Sequence, residues 1–286
     1  MSGGSKPVAW ITGAGGLIGS ELVKSAASHA PAFEPVGLTH SDCDLLDFNK
    51  VDGLFNRQRP KLVIHCAAIS RSTDSQGAPD LAKRVNVDAT RHLTELAADI
   101  PFIFFSTDLV FDGTKGNYVE MDSVNPLSTY AETKVAAEDV VRRNPRHCIV
   151  RISLTGGTSP KGDRGFNEEI KNAWRQGRTL NLFTDEFRCP AAAPVVARAV
   201  WELATKGAVG TFHLCGAEKL SRYQIGQLLG AKHPELKPKI VAGSHKDYIG
   251  PPRPPDTSMD CAKVQRLLSF RLPGLSEWLK EDQSGF

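Results

Sequence analysis

The sequence lacks the features that mark membrane, nucleic-acid-binding and secreted proteins. No apolar run is long enough to cross a bilayer, and the polar start MSGGSKP lacks the apolar segment of a signal peptide. The 35 basic and 32 acidic residues leave a net charge of only +3, without a basic stripe. The six cysteines form no CxxC pair, so we expect buried thiols in a reducing compartment. The composition therefore predicts a cytoplasmic protein that binds neither nucleic acid nor membrane.

The first half of the chain shows the alternation of strands and helices that is typical of a parallel sheet. Residues 8 to about 153 contain short apolar runs, each followed by a longer segment with helical periodicity. Strands that are buried on both faces and linked by helices form doubly wound sheets. The sequence therefore predicts an α/β fold with a Rossmann-type, doubly wound parallel sheet. Its strand candidates are VAWIT, PVGLT, LVIHC, FIFFST and HCIVRIS.

After residue 155 this alternation ends and helical patterns dominate. The loop TGGTSPKGDRG precedes helix candidates at FNEEIKNAWRQG, PVVARAVWELATKG, SRYQIGQLLG and SMDCAKVQRLL. The segment GTFHLCG has the pattern of a strand that returns to the main sheet. We therefore predict a dinucleotide-binding domain over residues 1–155. We expect a smaller, mainly substrate-binding domain over residues 156–286, with some segments returning to the Rossmann core.

The first strand candidate leads directly into a glycine-rich turn and a helix. Gly13 allows the tight turn, Gly16 allows the backbone to approach a pyrophosphate, and Gly19 allows close packing of helix on strand. The helix starts at Leu17 and Ile18, so its unpaired N–H groups and positive dipole end face the same turn. A strand, this glycine spacing and a helix in succession predict that these five residues bind a dinucleotide.

The end of the second strand candidate indicates which dinucleotide binds. An acidic residue at this position would bind the adenosine ribose and repel a 2′-phosphate. The stretch GLTHSDCD instead places Thr39, His40 and Ser41 there, and hydroxyl and imidazole groups donate hydrogen bonds to a phosphate. These residues predict NADPH as the cofactor, while the nearby carboxylate of Asp42 leaves NADH open.

The stretch CDLLD that follows has two interpretations. In the first, Asp44 and Leu45 flank the adenine ring of the cofactor. In the second, Asp44 or Asp47 marks the start of the next helix, because aspartate is a preferred residue at that position. The sequence alone leaves both interpretations open.

Two further segments carry residues that are suited to proton transfer. FIFFSTDLVFDG ends a buried strand in hydroxyls and a carboxylate, and YAETK places Tyr130 and Lys134 on one helical face. A tyrosine has a free pKa of about 10, and it donates a proton near neutrality when an adjacent ammonium and an oxidised nicotinamide stabilise its anion. The hydroxyl of Thr107 is able to orient the carbonyl oxygen that receives this proton. We therefore expect these three residues to act together.

Four motifs give the chain a family resemblance. TGAGGLIG, HCAA, STDLVFDG and YAETK resemble the extended short-chain dehydrogenase/reductases, and most closely the dTDP-4-dehydrorhamnose reductase branch. FTDEFRCP, GTFHLCG and PPRPPDTSMD resemble the substrate domain of that branch. The resemblance implies NADPH-dependent reduction of a 4-keto group on a nucleotide-activated 6-deoxyhexose. It also implies that Thr107, Tyr130 and Lys134 are catalytic and that Ala67, Ala68, Asn86, Tyr130 and Lys134 lie along the cofactor path.

The same resemblance implies which residues touch the substrate. Arg188 and Arg253 have two interpretations: they clamp a nucleotide diphosphate, because a guanidinium binds phosphate oxygens in pairs, or they are ordinary surface arginines. Asp108 is expected to hold either the Thr107 hydroxyl or a substrate group, or to cap the end of its strand. The acidic residues with which the branch binds a metal at its dimer interface are not recognisable, so we assign no metal. The resemblance is compatible with a homodimer.

The resemblance leaves two other functions open. VIHCAA, VFDGT and RCPA also resemble the regulatory β subunit of methionine adenosyltransferase, which is similar to a reductase but acts as a binding partner. The first alternative is therefore a regulatory subunit that binds NADP without turnover. The second is a nucleotide-sugar epimerase or dehydratase of the same fold. Dehydratases need an additional acid and base, and no Asp-Glu pair follows Thr107.

Overall fold

The computed structural model describes residues 5–250 and 252–282, so the first four residues of the polar start lie outside the described residues. No helix within these ranges has the length and apolar character needed to cross a membrane. The strands are β1 (Val8–Thr12), β2 (Glu34–Leu38), β3 (Leu62–His65), β4 (Phe102–Thr107), β5 (Cys148–Ile152), β6 (Thr155–Gly156), β7 (Leu180–Phe183), β8 (Phe187–Arg188), β9 (Ala191–Ala192), β10 (Gly210–Leu214), β11 (Leu220–Ser221) and β12 (Ile240–Gly243). The α-helices are α1 (Leu17–His29), α2 (Phe48–Gln58), α3 (Ser72–Gly77), α4 (Pro79–Lys83), α5 (Ala89–Leu96), α6 (Thr129–Arg142), α7 (Phe166–Arg175), α8 (Ala193–Thr205), α9 (Arg222–Lys232), α10 (Ala262–Gln265) and α11 (Leu275–Glu281).

Six strands form one parallel sheet in the order β10-β5-β4-β3-β1-β2. Toward the β2 edge of this sheet, Ile11 of β1 lies opposite Gly37 of β2 and Ile64 of β3. The chain moves from β1 to one side and then to the other, and this reversal opens a crevice at the carboxyl edge, where such sheets bind ligands. The predicted Rossmann-type fold is confirmed. The segment GTFHLCG contains β10, which returns to the main sheet beside β5 as expected.

Successive residues of the central strands enter two separate hydrophobic cores. In β1, Ala9 and Ile11 belong to one buried cluster and Trp10 belongs to the other, because strand side chains alternate between faces. Helices α1 and α8 cover the first face, where Nε1 of Trp201 donates to the carbonyl oxygen of Leu22 at 3.1 Å. Helices α5 and α6 contribute to the second core. This burial on both faces explains why the central predicted strands are apolar at consecutive positions, as in Phe102–Phe105 of β4.

The second half of the chain adds short paired strands and also contributes to the main sheet. Strand β7 pairs with β12, β8 with β11, and β6 with β9. Helix α8 packs on α1, and β10 extends the sheet that the first half builds. The two halves therefore share one core, and the predicted boundary at residue 155 stays a prediction.

The predicted helix in SMDCAKVQRLL is wrong for most of its length. Only Ala262–Gln265 is α-helical. The N–H of Tyr118 donates to the carbonyl oxygen of Ser258, and the N–H of Asp260 donates back to Tyr118, both at 2.8 Å. These hydrogen bonds hold the start of the segment as a bridge beside Tyr118, so a tertiary contact overrides its local helical pattern.

Candidate active site

Backbone contacts build the glycine turn between β1 and α1. Gly13 has a φ of +71°, which side chains rarely adopt, and a Cβ there would lie 2.7 Å from the nitrogen of Ala67. A Cβ on Gly19 would collide with the carbonyl oxygen of Gly13. A Cβ on Gly16 would meet, within 4 Å among the described residues, only that same oxygen, at 3.3 Å. The fold therefore requires Gly13 and Gly19, whereas a Cβ at Gly16 would make one tight contact with the backbone and leave the rest of its surroundings open.

The start of α1 carries unsatisfied donors and no competing anion. Gly16 precedes the helix, no side chain caps it, and the first turn contains no acidic residue. Leu17 is buried and Ile18 packs partly against the core, so their side chains anchor the turn while their backbone lies at the helix start. A helix start of this kind favours a phosphate group. The residues present thus fit the predicted dinucleotide.

The loop after β2 presents hydroxyls, an imidazole and one carboxylate. Oδ2 of Asp42 accepts hydrogen bonds from the hydroxyl of Thr39 at 2.6 Å and from its N–H at 2.9 Å. These bonds hold the pKa of Asp42 below its usual value. The hydroxyls of Thr39 and Ser41 lie 2.8 Å apart, and the side chain of His40 is exposed. The carboxylate is therefore turned back onto its own loop.

The structure separates the two interpretations of CDLLD. Asp47 caps α2, since its carboxylate accepts from the N–H of Lys50 at 3.1 Å. Asp44 accepts from the N–H of Leu46 at 3.0 Å, and Leu45 packs partly against the second core. The helix-start interpretation is confirmed for Asp47, while contact of Asp44 and Leu45 with adenine stays a prediction.

Ala67 and Ala68 lie at the carboxyl end of β3, next to the glycine turn. The N–H of Ala67 donates to the hydroxyl of Thr12 at 3.3 Å, and this hydroxyl also lies 2.7 Å from Nδ1 of His65. Nε2 of His65 lies 3.0 Å from the hydroxyl of Thr90, and burial lowers the pKa of His65 to about 3. His65 is therefore a neutral, fully paired core residue that fixes the ends of β1 and β3.

Asn86 joins the loop after β3 to the helix that carries Tyr130. Its Oδ1 accepts from the N–H of Ile69 at 2.8 Å, and its Nδ2 donates to the hydroxyl of Thr133 at 2.9 Å. Asn86 is buried, and the oxygen and nitrogen of its side-chain amide both form hydrogen bonds to other parts of the protein. Asn86 therefore holds α6 against the loop after β3. Its direct contact with a cofactor stays a prediction.

The three predicted catalytic residues converge at the carboxyl end of β4. Thr107 ends this strand, and Tyr130 and Lys134 lie one turn apart in α6. The side chain of Thr107 lies near the phenol of Tyr130 and acts to lower the pKa of Tyr130. Nζ of Lys134 lies 3.9 Å from the centroid of the Phe104 ring. Tyr130 is only 9% exposed and Lys134 only 3%, so both polar ends lie in a water-poor site.

Burial controls the protonation of this group. Burial raises the pKa of Tyr130 above its usual value, the charge of Asp108 raises it further, and the side chain of Thr107 opposes them. Burial also lowers the pKa of Lys134 to about 7. Loss of hydration thus disfavours both charged forms in the cofactor-free protein, and the expectation that an ammonium and an oxidised nicotinamide together stabilise the tyrosine anion stays a prediction. Tyr130 carries its proton at neutral pH.

Asp108 is the buried anchor of the Thr107 hydroxyl. Its Oδ1 accepts from Thr107 at 3.2 Å, and its Oδ2 accepts from the hydroxyls of Ser153 at 2.8 Å and Thr257 at 2.7 Å. Nε of Arg188 lies 3.8 Å from Oδ2. Among its expected roles, the structure gives Asp108 the one of holding Thr107. The sequence did not predict the contacts of Ser153 and Thr257 with Asp108, because these residues come from distant segments of the chain.

A buried ion pair fixes α6 against the sheet. Nε and Nη2 of Arg151 in β5 donate to the two carboxylate oxygens of Glu138 at 2.9 and 2.7 Å. Glu138 lies one turn after Lys134, and its negative charge partly counteracts the lowering of the Lys134 pKa. The four-residue spacing in the sequence already indicates that Glu138 and Lys134 lie on the same face of the helix. The partner of Glu138, Arg151, became apparent only from the sheet order.

The two predicted substrate arginines surround one buried carboxylate, Glu186. Nε and Nη2 of Arg253 donate to it at 2.6 and 2.8 Å, and Nη2 of Arg188 lies 3.3 Å away. Arg188 also donates to the carbonyl oxygen of Pro254 at 3.0 Å and is buried. Nε of Arg222 lies 4.0 Å from Glu186. Three guanidinium groups thus surround one carboxylate, and Arg188 also lies near Asp108.

A cavity of about 440 Å³ opens beside this arginine cluster. It combines guanidinium groups, two acidic residues and an apolar wall. Arg222 belongs both to the cavity and to the cluster around Glu186. Sequence reasoning missed its arginines, since they come from separated segments. The lining includes Arg71, Arg178, Arg222, Asp163, Glu169, Ile170, Leu180 and Leu182.

Known proteins resemble this chain over nearly its whole length. Residues 9–282 match the family described as RmlD substrate binding domain. The chain is 31% identical over 300 residues to the "probable low-salt glycan biosynthesis reductase Agl14" of Haloferax volcanii, covering 97% of this chain and 98% of that protein. It is 30% identical over 278 residues to methionine adenosyltransferase 2 subunit beta of Bos taurus, covering 90% and 81%.

The fold also matches solved structures. The dTDP-4-dehydrorhamnose reductase of Bacillus anthracis, solved in complex with NADP, superposes with a TM-score of 0.88. The two chains are 20% identical, and the match covers 96% of this chain and 98% of the other. The predicted resemblance to the dTDP-4-dehydrorhamnose reductase branch is confirmed. The chain belongs to the RmlD family of dTDP-4-dehydrorhamnose reductase-like proteins.

Proposed function

We propose that this protein reduces the 4-keto group of a nucleotide-activated 6-deoxyhexose with NADPH. The observation that carries the proposal is the buried group of Thr107, Tyr130 and Lys134, which the end of β4 and one turn of α6 bring together. This group lies at the same carboxyl edge of the sheet as the glycine turn. The match to a glycan biosynthesis reductase supports reduction, and the NADP-bound structure of the same fold supports the cofactor.

In this proposal, Tyr130 is the proton donor. A bound nicotinamide supplies the hydride that the keto carbon receives. Tyr130 gives its phenolic proton to the keto oxygen, so one hydride and one proton convert the ketone into an alcohol. Its raised pKa keeps the proton on the phenol until negative charge develops on the substrate. Thr107, fixed by Asp108, aligns the same oxygen, and Lys134 stabilises the phenolate that forms.

The cofactor residues follow from the two loops described above. We assign the pyrophosphate to Gly16 and the backbone of Leu17 and Ile18, where the surroundings of Gly16 are largely open and the helix start is uncapped. We assign the 2′-phosphate to the hydroxyls and imidazole of Thr39, His40 and Ser41. The carboxylate of Asp42 turns toward Thr39, which supports a phosphate at this loop.

We infer the substrate residues from the arginine cluster around Glu186 and from the cavity beside it. Arg222 and Arg253 offer partly exposed guanidinium groups to a diphosphate, whereas the contacts of Arg188 assign it to positioning Glu186. The apolar wall formed by Leu180 and Leu182 suits a nucleotide base. The cavity thus supports a substrate that joins an anionic group to a flat, partly apolar one.

The direct test is oxidation of NADPH in the presence of a dTDP-4-keto-6-deoxyhexose. We expect one NADPH to be consumed for each sugar reduced, with a new hydroxyl at the keto carbon seen by mass spectrometry. The same sugar without its nucleotide and the corresponding 4-hydroxy sugar are the controls. Conversion of the sugar without net NADPH consumption would favour the epimerase or dehydratase alternative.

The second candidate function is a regulatory subunit that binds NADP without turnover. The 30% identity to methionine adenosyltransferase 2 subunit beta favours it. Under this alternative, calorimetry detects NADPH binding while no keto sugar is reduced. That pair of results would replace the proposed reduction.

A further inference from the structure

Three cysteines that are far apart in sequence meet outside the proposed active site. Cys189 follows β8, Cys215 follows β10, and Cys261 immediately precedes α10. The sulfur atoms of Cys215 and Cys261 lie 3.1 Å apart, and the N–H of Cys215 donates to the sulfur of Cys261 at 3.3 Å. Cys189 packs in the same buried cluster, and its carbonyl oxygen accepts a hydrogen bond from the N–H of Gly216 at 3.2 Å. The fold thus creates a contiguous group of thiols that the sequence spacing concealed.

The surroundings of this thiol cluster are apolar and do not suit a metal ion. Phe111, Tyr118 and Met259 pack around it. Over residues 5–250 and 252–282, no group of three or more His, Cys, Asp or Glu could hold a metal. Cys215 is fully buried, whereas Cys261 is partly exposed. A small oxidant therefore reaches the pair through Cys261.

We propose that Cys215 and Cys261 are a site of reversible disulfide formation. The two sulfurs need to approach only from 3.1 Å to the bonded distance of about 2.05 Å. Cys215 sits in the turn after a core strand, while Cys261 lies in the segment that links the bridge at Met259 to a short helix. This second segment is able to supply the small movement. The proposal does not depend on the reaction proposed above.

With hydrogen peroxide as the oxidant, the chemistry balances in two steps. The thiol of Cys261 is oxidised to a sulfenic acid, and the peroxide is reduced to one water molecule. The sulfur of Cys215 then attacks the sulfenic sulfur, and its proton leaves with the hydroxyl as a second water molecule. A dithiol reductant reverses the product to two thiols.

The cluster is connected to the residues around Thr107. The N–H of Cys189 lies 3.4 Å from the hydroxyl of Ser153, which donates to Asp108 at 2.8 Å. Asp108 in turn accepts from Thr107. The disulfide therefore forms beside the hydrogen-bond network that positions the proposed catalytic hydroxyl.

The experiment is disulfide mapping of the folded, full-length protein. The protein is treated with hydrogen peroxide, quenched with acid, alkylated in denaturant and digested without reductant. We expect a peptide that joins Cys215 to Cys261, with a fall from six free thiols to four. Dithiothreitol should restore all six.

Single substitutions identify the pair. Cys261→Ser, at a partly exposed position, should hold the count at five thiols throughout, whereas Cys148→Ala should start at five and fall to three. Cys148 lies buried in β5 and serves as the matched control. Circular dichroism checks that each variant is folded. A crosslink between any other cysteines, or six thiols that survive oxidation of the folded protein, would overturn the proposal.

Discussion

The glycine turn and the Thr107–Tyr130–Lys134 group lie at one edge of the sheet but are built in opposite ways. The turn uses consecutive residues and their backbone atoms, and it is shaped by the absence of side chains at Gly13 and Gly19. The proton-transfer group uses side chains from separate segments, and burial sets the protonation of Tyr130 and Lys134. The difference teaches that binding of the cofactor and transfer of the proton are separable by mutation.

The largest effect is expected from replacing the phenol of Tyr130, which should reduce catalysis without reducing NADPH binding. We expect Tyr130→Phe to lower the rate of keto-sugar reduction by about 10²- to 10⁴-fold, the contribution of a positioned acid, while the glycine turn still binds NADPH. Steady-state NADPH oxidation and calorimetry measure the two effects. Full activity in this variant would remove Tyr130 from the mechanism.

The reverse separation is expected at Gly16. The Cβ of a valine there has one tight backbone contact, at 3.3 Å, and the side chain enters the space assigned to the pyrophosphate, so we expect a folded protein that binds NADPH roughly 100-fold more weakly. Gly19→Val is the matched comparison, because its Cβ collides with the backbone of Gly13 and should disrupt folding itself. Calorimetry and thermal melting distinguish the two variants. Unchanged NADPH affinity in Gly16→Val would contradict the assignment.

Burial of Lys134 should appear in the pH dependence of stability. Its pKa falls from 10.5 to about 7, so between these values the unfolded chain binds more protons and the free energy of unfolding rises with pH. The slope is at most about 1.4 kcal/mol per pH unit, and Lys134→Met should lose it. Urea unfolding of both cofactor-free proteins between about pH 7 and 9 measures the difference. Parallel curves would show that the ammonium is hydrated in the fold.

The smallest effect on NADPH affinity is expected at the loop after β2, where we propose that the 2′-phosphate binds. His40→Asp places a negative charge beside the proposed 2′-phosphate, and His40 is exposed, so solvent screens the repulsion. We expect about 1 kcal/mol, or about fivefold weaker NADPH binding, with little change for NADH. His40→Asn, which adds no charge, is the control. Tighter binding of NADH than of NADPH by the unmodified protein would show that the predicted preference is wrong.

Local patterns predicted much of the main sheet and its ligand edge. Apolar runs located β1 and β4 to the residue, and the glycine spacing located the turn before α1. The helix predicted in SMDCAKVQRLL is wrong for its first residues because Met259 pairs in a β-bridge with Tyr118, which is distant in sequence. Local periodicity carries no information about such a partner.

The sequence by itself determined the order of strands and helices, the glycine turn and the spacing of Tyr130 and Lys134, since each depends on neighbouring residues and short-range geometry. Tertiary structure alone decided which distant groups meet. It joined Asp108 to Thr257, gathered three arginines around Glu186, and brought Cys215 to Cys261. It also set the direction of the Tyr130 pKa shift in the cofactor-free protein, because hydration is lost only when the chain packs around the phenol.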